Sequence, residues 1–252
     1  MSNIDWVTIQ KHLQEDTLRE HFNGLFSTPK AAEAYVAYCQ YFLSEYSTSS
    51  ARIPEIAVSL PILRIFLLSI PGYVFRSIKC GSTVLDWLAA IISEKPMSFV
   101  GPALSNLCVL AKHLPLDDIV ASLATSFQMA LHRAASLINA DSLSQDLMSL
   151  VIVLHQLEDL LNCIGSHSSL PVDVISSTQP DITVLLQFVC SEQVKSVPRT
   201  EGFIVDVVKL CAMIMEISVT SLRSSSTSSD IIYTESVLSM AQLLVTLTIM
   251  VT

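Results

Sequence analysis

The residues of this chain that could do chemistry are scattered along it. Its six histidines are His12, His21, His113, His132, His155 and His167. None of them is spaced from another as zinc ligands usually are. The sequence has no P-loop, no Gly-x-Gly-x-x-Gly turn, no nucleophile elbow and no His-Glu-x-x-His motif. We therefore expect a protein that is not an enzyme and that uses no metal and no cofactor.

The cysteines are typical of reduced thiols inside a cell. They are Cys39, Cys80, Cys108, Cys163, Cys190 and Cys211, and none belongs to a Cys-x-x-Cys pair. The first residues carry no basic and apolar signal segment, so the expected compartment is the cytoplasm or the nucleus. Cys80 alone lies beside both a cation, Lys79, and a turn glycine, Gly81. Because the sequence offers no partner base, we expect Cys80 to be an ordinary thiol.

Charge is distributed unevenly, and one short segment reverses the overall sign. The chain carries a formal net charge of −9, which disfavours binding to nucleic acid because that binding requires neutralised phosphates. Residues 51–80 hold Arg52, Arg64, Arg76 and Lys79 against Glu55 alone. We therefore predict that a basic strip of Arg64, Arg76 and Lys79 binds an acidic segment of a partner protein. The alternative is that these cations only solvate an apolar domain.

The spacing of leucines indicates the helices that must position the basic strip. Between Asp141 and Gly165 the apolar residues recur in steps of four and three, which places them on one face of a helix. Further apolar residues flank that stripe, so this helix must be packed between neighbours. Apolar residues make up 51% of the chain and charged residues 15%, against roughly 25% charged in an average soluble domain.

Prolines suggest where the other helices begin and end, since proline interrupts helical hydrogen bonding. The pattern predicts a helical break near Pro61 and the start of a regular helix at Pro102. It also predicts an irregular region over residues 166–180, with a short helix from Asp181 to Cys190.

Two apolar stretches raise the question of a membrane span. Residues 53–70 are interrupted by Pro54, Pro61 and Arg64, and a charged side chain at the centre of a bilayer is costly. Residues 237–251 are shorter than the roughly 20 residues that a spanning helix needs. We therefore expect buried core helices in both places.

Three helix pairs, over residues 102–138, 143–190 and 203–251, share a similar leucine rhythm. Gly101-Pro102-Ala103-Leu104-Ser105-Asn106-Leu107-Cys108 resembles the helix opening of armadillo-type repeats. That resemblance implies an all-α fold, an α-solenoid of stacked helical hairpins of the ARM/HEAT type with degenerate repeats. We expect an N-terminal helical cap over 1–50 and the repeat region over 51–252. A coiled coil through residues 143–164 is the competing arrangement.

Three functions follow from these expectations. The first is a scaffold whose solenoid surface binds an acidic peptide or an amphipathic helix of a partner. The second is a homo-oligomerisation module that pairs apolar helices between copies. The third is a helical enzyme or lipid carrier with an internal cavity, or a membrane-associated helical protein. The lack of converging polar residues in the apolar runs disfavours an internal binding cavity.

Overall fold

The computed structural model describes residues 17–27, 53–69, 81–112, 116–138, 143–165, 172–197 and 200–224, together with positions 11, 33, 114, 238, 241, 242 and 245. These residues contain no strand, so the all-α prediction is confirmed for them. The α-helices are α1 (Leu18–Phe26), α2 (Ile53–Ser69), α3 (Gly81–Glu94), α4 (Met97–Ala111), α5 (Leu116–Ile138), α6 (Leu143–Gly165), α7 (Val172–Val189) and α8 (Thr200–Ser224). A short 3-10 helix, Glu192–Ser196, precedes α8. The predicted division at residue 50 lies outside the described residues.

The helices pack in two interleaved series. Within the first series α2 contacts α4, α4 contacts α6, and α6 contacts α8. Within the second, α3 contacts α5 and α5 contacts α7. Contacts between α3 and α4, α5 and α6, and α7 and α8 join the two series. The N-terminal α1 packs on α2, where the rings of Phe22 and Phe66 meet edge to face at 5.4 Å.

Helix α6 packs against three other helices, and its leucine stripe is buried, as the sequence predicts. The buried members of the stripe are Leu147, Leu150, Leu154, Leu157, Leu161 and Ile164. Helices α4, α5 and α8 all contact α6, which explains why its apolar arc is wider than one stripe. Each such side chain removed from water contributes about 1.5–3 kcal/mol to folding, so this helix holds its neighbours in place.

Three prolines lie inside helices, although the sequence pattern predicts helix boundaries there. Pro61 lies inside α2, Pro102 inside α4 and Pro180 inside α7. The predictions of a break near Pro61, a helix start at Pro102 and an irregular region up to residue 180 are therefore wrong. All three proline rings are exposed. On an exposed face, water can bind the carbonyl that each proline leaves without its helical donor.

Asn106 ties α4 to α2 beside one of these prolines. Its side chain is 1% exposed, and its Nδ2 donates to the carbonyl oxygens of Leu60, at 3.2 Å, and Pro102, at 2.9 Å. A buried amide bonded to two helices fixes their relative position. Arg64 lies one helical turn beyond Leu60, and Ser105 precedes Asn106, so this contact brings those two side chains together.

One described segment, residues 147–164, is long and apolar enough to cross a bilayer by length and composition alone. It is the core of α6, and its leucines are buried against neighbouring helices. Of the two stretches that raised the question in the sequence, 237–251 lies almost entirely outside the described residues. In the other, Leu60–Ser69 is a shorter apolar segment, and Leu60, Ile62, Leu63, Phe66 and Leu67 are buried within the protein.

Candidate functional site

A cavity of about 420 Å³ opens between α2, α4 and α6. Its lining residues come from all three helices: Arg64, Ser105, Cys108, Val109, Ala111, Lys112, Gln156, Asp159, Asn162 and Cys163. Cavities of this size accept a small ligand or a few side chains of a partner. The cavity is therefore a place in the described structure where polar side chains from three helices converge.

Burial divides this lining into a floor and a rim. The floor consists of buried residues of α4: Ser105, Cys108, Val109 and Ala111. The rim consists of exposed charged and amide side chains: Arg64, Lys112, Asp159 and Asn162. A ligand would thus enter past charged groups and come to rest against apolar and thiol groups.

The rim carries two cations and one carboxylate, in a chain whose net charge is −9. Arg64 reaches in from α2 and donates a hydrogen bond from a guanidinium nitrogen to the Ser105 hydroxyl. Lys112 occupies the C-cap position of α4, where the negative end of the helix dipole favours a cation. Asp159 offsets part of this charge, which leaves the rim with a positive excess.

Two thiols stand side by side in the same cavity. The Cys108 thiol donates a hydrogen bond to the sulfur of Cys163. This bond, assisted by the charge of Lys112, lowers the pKa of Cys163 to about 7, although partial burial and Asp159 act in the opposite direction. The same bond, together with burial, raises the pKa of Cys108 far above its ordinary value. The interaction therefore favours a thiolate on Cys163, the more exposed of the two sulfurs.

Of the three residues predicted for partner binding, the described structure contains Arg64, and that residue lies on the cavity rim. Arg76 and Lys79 lie outside the described residues, as does Cys80. Sequence reasoning missed Lys112 and the thiol pair. Cys108 and Cys163 belong to different helices, so no local spacing connects them. A usable signal did exist in α6, where Gln156, Asp159 and Cys163 follow one another at helical spacing on one polar face.

A second polar cluster lies where α6 meets α8. Ligand atoms of His155, Glu158 and Asp206 all lie within 4.8 Å of one another, and His155 is exposed, as its position opposite the leucine stripe predicts. Oxygen Oε1 of Glu158 lies 3.6 Å from the ammonium of Lys209. That ammonium already supplies positive charge to the carboxylate, which weakens the cluster's attraction for a cation. The cluster is described best as an ion pair that joins α6 to α8.

No known protein family, curated protein or solved structure gives a significant match to this chain. The armadillo-type resemblance of residues 101–108 therefore stays a prediction, and the function of the chain has to be inferred from its own residues.

Proposed function

We propose that this chain is a non-enzymatic interaction scaffold, built as an ARM/HEAT-like α-solenoid, that binds an acidic segment of a partner protein in the cavity between α2, α4 and α6. The observation that carries the proposal is the convergence of Arg64 and Lys112, which are far apart in sequence, on the rim of one cavity.

The order of helix contacts supports the solenoid part of this proposal. In a stack of helical hairpins, each helix packs on its hairpin partner and on the equivalent helix of the next hairpin. The series α2–α4–α6–α8 and α3–α5–α7, joined by contacts within successive pairs, has that order. A stack of this kind exposes a continuous surface along one series, and the cavity lies on the series that contains α2, α4 and α6.

Rim chemistry supports an acidic occupant. Guanidinium and ammonium groups bind carboxylates by charge-assisted hydrogen bonds, and the guanidinium of arginine can hold both carboxylate oxygens. The amides of Gln156 and Asn162 add donors and acceptors for the peptide backbone. The apolar floor offers a place for a small hydrophobic side chain next to the acidic residue.

Selection from a random peptide library displayed on phage tests this function. The full chain is the bait, and the enriched peptides are measured against the double variant Arg64→Glu/Lys112→Glu. We expect peptides rich in Asp and Glu whose affinity falls at least about tenfold in the variant, equivalent to about 1.4 kcal/mol. Added salt should also weaken them, because screening acts on exposed charges.

A matched control separates the cavity from the general charge of the protein. Arg19→Glu/Lys195→Glu makes the same change in net charge at exposed positions of α1 and the 3-10 helix, and it should leave affinity unchanged. Peptides without an acidic excess, or peptides that bind the cavity variant as tightly as the wild type, would overturn the proposal.

The cytoplasmic or nuclear compartment belongs to the same proposal and agrees with the free thiols of Cys108, Cys163, Cys190 and Cys211.

Homo-oligomerisation is the second candidate, and exposed apolar side chains on α6 favour it. Met148 is 55% exposed and Ile152 is 47% exposed. They lie one helical turn apart, so they form a small apolar strip on the outer face of the helix.

A further inference from the structure

The thiols of Cys108 and Cys163 are placed as a reactive pair. They belong to the facing helices α4 and α6, they are joined by a hydrogen bond, and both line the cavity. Cys163 is half-buried and accessible through the cavity, whereas Cys108 is 7% exposed. The two other described cysteines, Cys190 and Cys211, do not line the cavity.

We propose that Cys163 and Cys108 form a peroxide-reactive dithiol site, in which Cys163 is oxidised first and Cys108 then closes a disulfide between α4 and α6. The inference concerns the thiols alone and does not require that the cavity bind an acidic segment. It adds a covalent modification site to a protein that we propose to be a scaffold.

The chemistry balances with one hydrogen peroxide as the oxidant. The Cys163 thiolate attacks one peroxide oxygen, the O–O bond breaks, and hydroxide leaves; Cys163 becomes a sulfenic acid. The Cys108 sulfur then attacks the Cys163 sulfur. The S–S bond forms, the S–O bond breaks, and water leaves with the proton of Cys108. Two thiols and one peroxide yield one disulfide and two waters. A thiol reductant then reduces the disulfide back to two thiols.

The surroundings of Cys163 favour the first step. The groups that face it are Cys108 and Lys112 from α4, Asp159 from its own helix and, across the cavity, Arg64 from α2. The hydrogen bond from Cys108 holds the pKa of Cys163 near 7, so about half of the side chain is thiolate at neutral pH. Burial raises the pKa of Cys211 to about 12, which keeps that cysteine unreactive under the same conditions.

Oxidation of the reduced full chain by hydrogen peroxide tests the site directly. After rapid alkylation of the remaining thiols, intact-mass analysis and proteolytic mapping should show the loss of two hydrogen atoms and a crosslink between Cys108 and Cys163. Dithiothreitol should restore both thiols. In Cys108→Ala the disulfide should be absent, and a dimedone probe should trap Cys163 as its sulfenic acid.

Cys190→Ser is the matched control, because it removes a half-buried cysteine outside the cavity and should leave the crosslink intact. A crosslink of Cys163 with any other cysteine, or peroxide treatment that leaves both thiols available to alkylation, would overturn the proposal. Either result can be read on the wild-type chain, so the test does not depend on the stability of a variant.

A pH profile provides an independent readout. The rate of Cys163 alkylation by iodoacetamide should titrate with a midpoint near pH 7 in the wild type. Cys108→Ala removes the donor, so the midpoint should rise towards the ordinary value of 9.0. A full shift lowers the thiolate fraction at pH 7 about fiftyfold and makes the thiolate about eightfold more nucleophilic, so the rate should fall about sixfold. An unchanged midpoint would show that Cys108 does not activate Cys163.

Discussion

At the scale of single residues, Arg133 of α5 caps the C-terminal end of α3 with its side chain. Its guanidinium donates to the backbone carbonyl of Ile92 and, at 2.6 Å, to the backbone carbonyl of Lys95. The last carbonyls of a helix have no partner within the helix itself, so a cation there satisfies them and interacts favourably with the helix dipole. Partial burial lowers the pKa of Arg133, but an arginine stays charged at neutral pH.

Replacing Arg133 should therefore cost stability. We expect Arg133→Met, which keeps the apolar stem, to lower the free energy of unfolding by about 1–3 kcal/mol because two partly buried carbonyls lose charged donors. Urea denaturation followed by circular dichroism measures the change.

Lys195→Met is the control for this substitution. Lys195 forms an ion pair with Glu192, but both side chains are largely exposed, so the change should stay below about 0.5 kcal/mol. Equal losses for the two variants would show that the contacts of Arg133 do not stabilise the end of α3.

At the residue level, composition pointed to one side chain that the structure places in the cavity, and its binding role stays a prediction. Arg64 could be singled out because it belongs to the segment where the sign of the charge reverses, and the structure places it on the cavity rim. The thiol pair could not be found, since Cys108 and Cys163 are brought together only by the packing of α4 on α6. Which turn of one helix faces which turn of another is a property of the packed helices, and no local pattern records it.

Gly101 marks a close approach between two elements, where α4 crosses α6. A Cβ atom at this position would lie 2.5 Å from Cγ2 of Ile152 and 3.5 Å from its Cβ. Ile152 is branched at Cβ, and its rotamer in a helix is stiff, so it cannot turn away freely. The absence of a side chain at residue 101 therefore sets how closely the two helices pack, and with it the shape of the cavity between them.

Gly101→Ala tests this contact. Alanine should gain about 1 kcal/mol in helix propensity, but overpacking costs about 1–3 kcal/mol, so we expect a net loss of about 1 kcal/mol in the free energy of unfolding. The double variant Gly101→Ala/Ile152→Ala should recover most of that loss, as denaturant titration would show.

Gly202→Ala is the matched control within a helix. No atom lies within 4 Å of the position that its Cβ would take, so only the gain in helix propensity remains and the protein should become more stable. If Gly101→Ala were stabilising too, the packing of α4 on α6 would not depend on the absence of a side chain at residue 101.

The prolines show which part of an element can be predicted. Apolar periodicity located α6 correctly, because burial of one face depends on the side chains of the helix itself. The effect of an internal proline depends on whether the affected carbonyl is hydrated, which tertiary packing decides. Pro61, Pro102 and Pro180 are all exposed, and α2, α4 and α7 continue through them.

At the scale of the whole molecule, the outer face of α6 decides between the two candidate functions. If Met148 and Ile152 pair two copies, sedimentation velocity of the wild type should show a dimer whose fraction rises with concentration. Met148→Glu should then shift the protein to monomer, since a charge would be buried at the centre of the interface. Ser136→Glu, at an exposed position of α5, adds the same charge and should have no effect. A monomer at all concentrations would exclude the oligomerisation candidate.

The two interleaved series of helices also bear on how the protein is made. The main contacts of each described helix are with helices no more than two places away along the chain. Native contacts of this kind join residues such as Arg64 and Ser105, which are 41 positions apart, so they form without bringing the two ends of the chain together. During synthesis, the helices made first can bury their apolar faces against one another before the last ones leave the ribosome. Little apolar surface then stays exposed until a distant segment is made. This limits aggregation of a chain in which 51% of the residues are apolar.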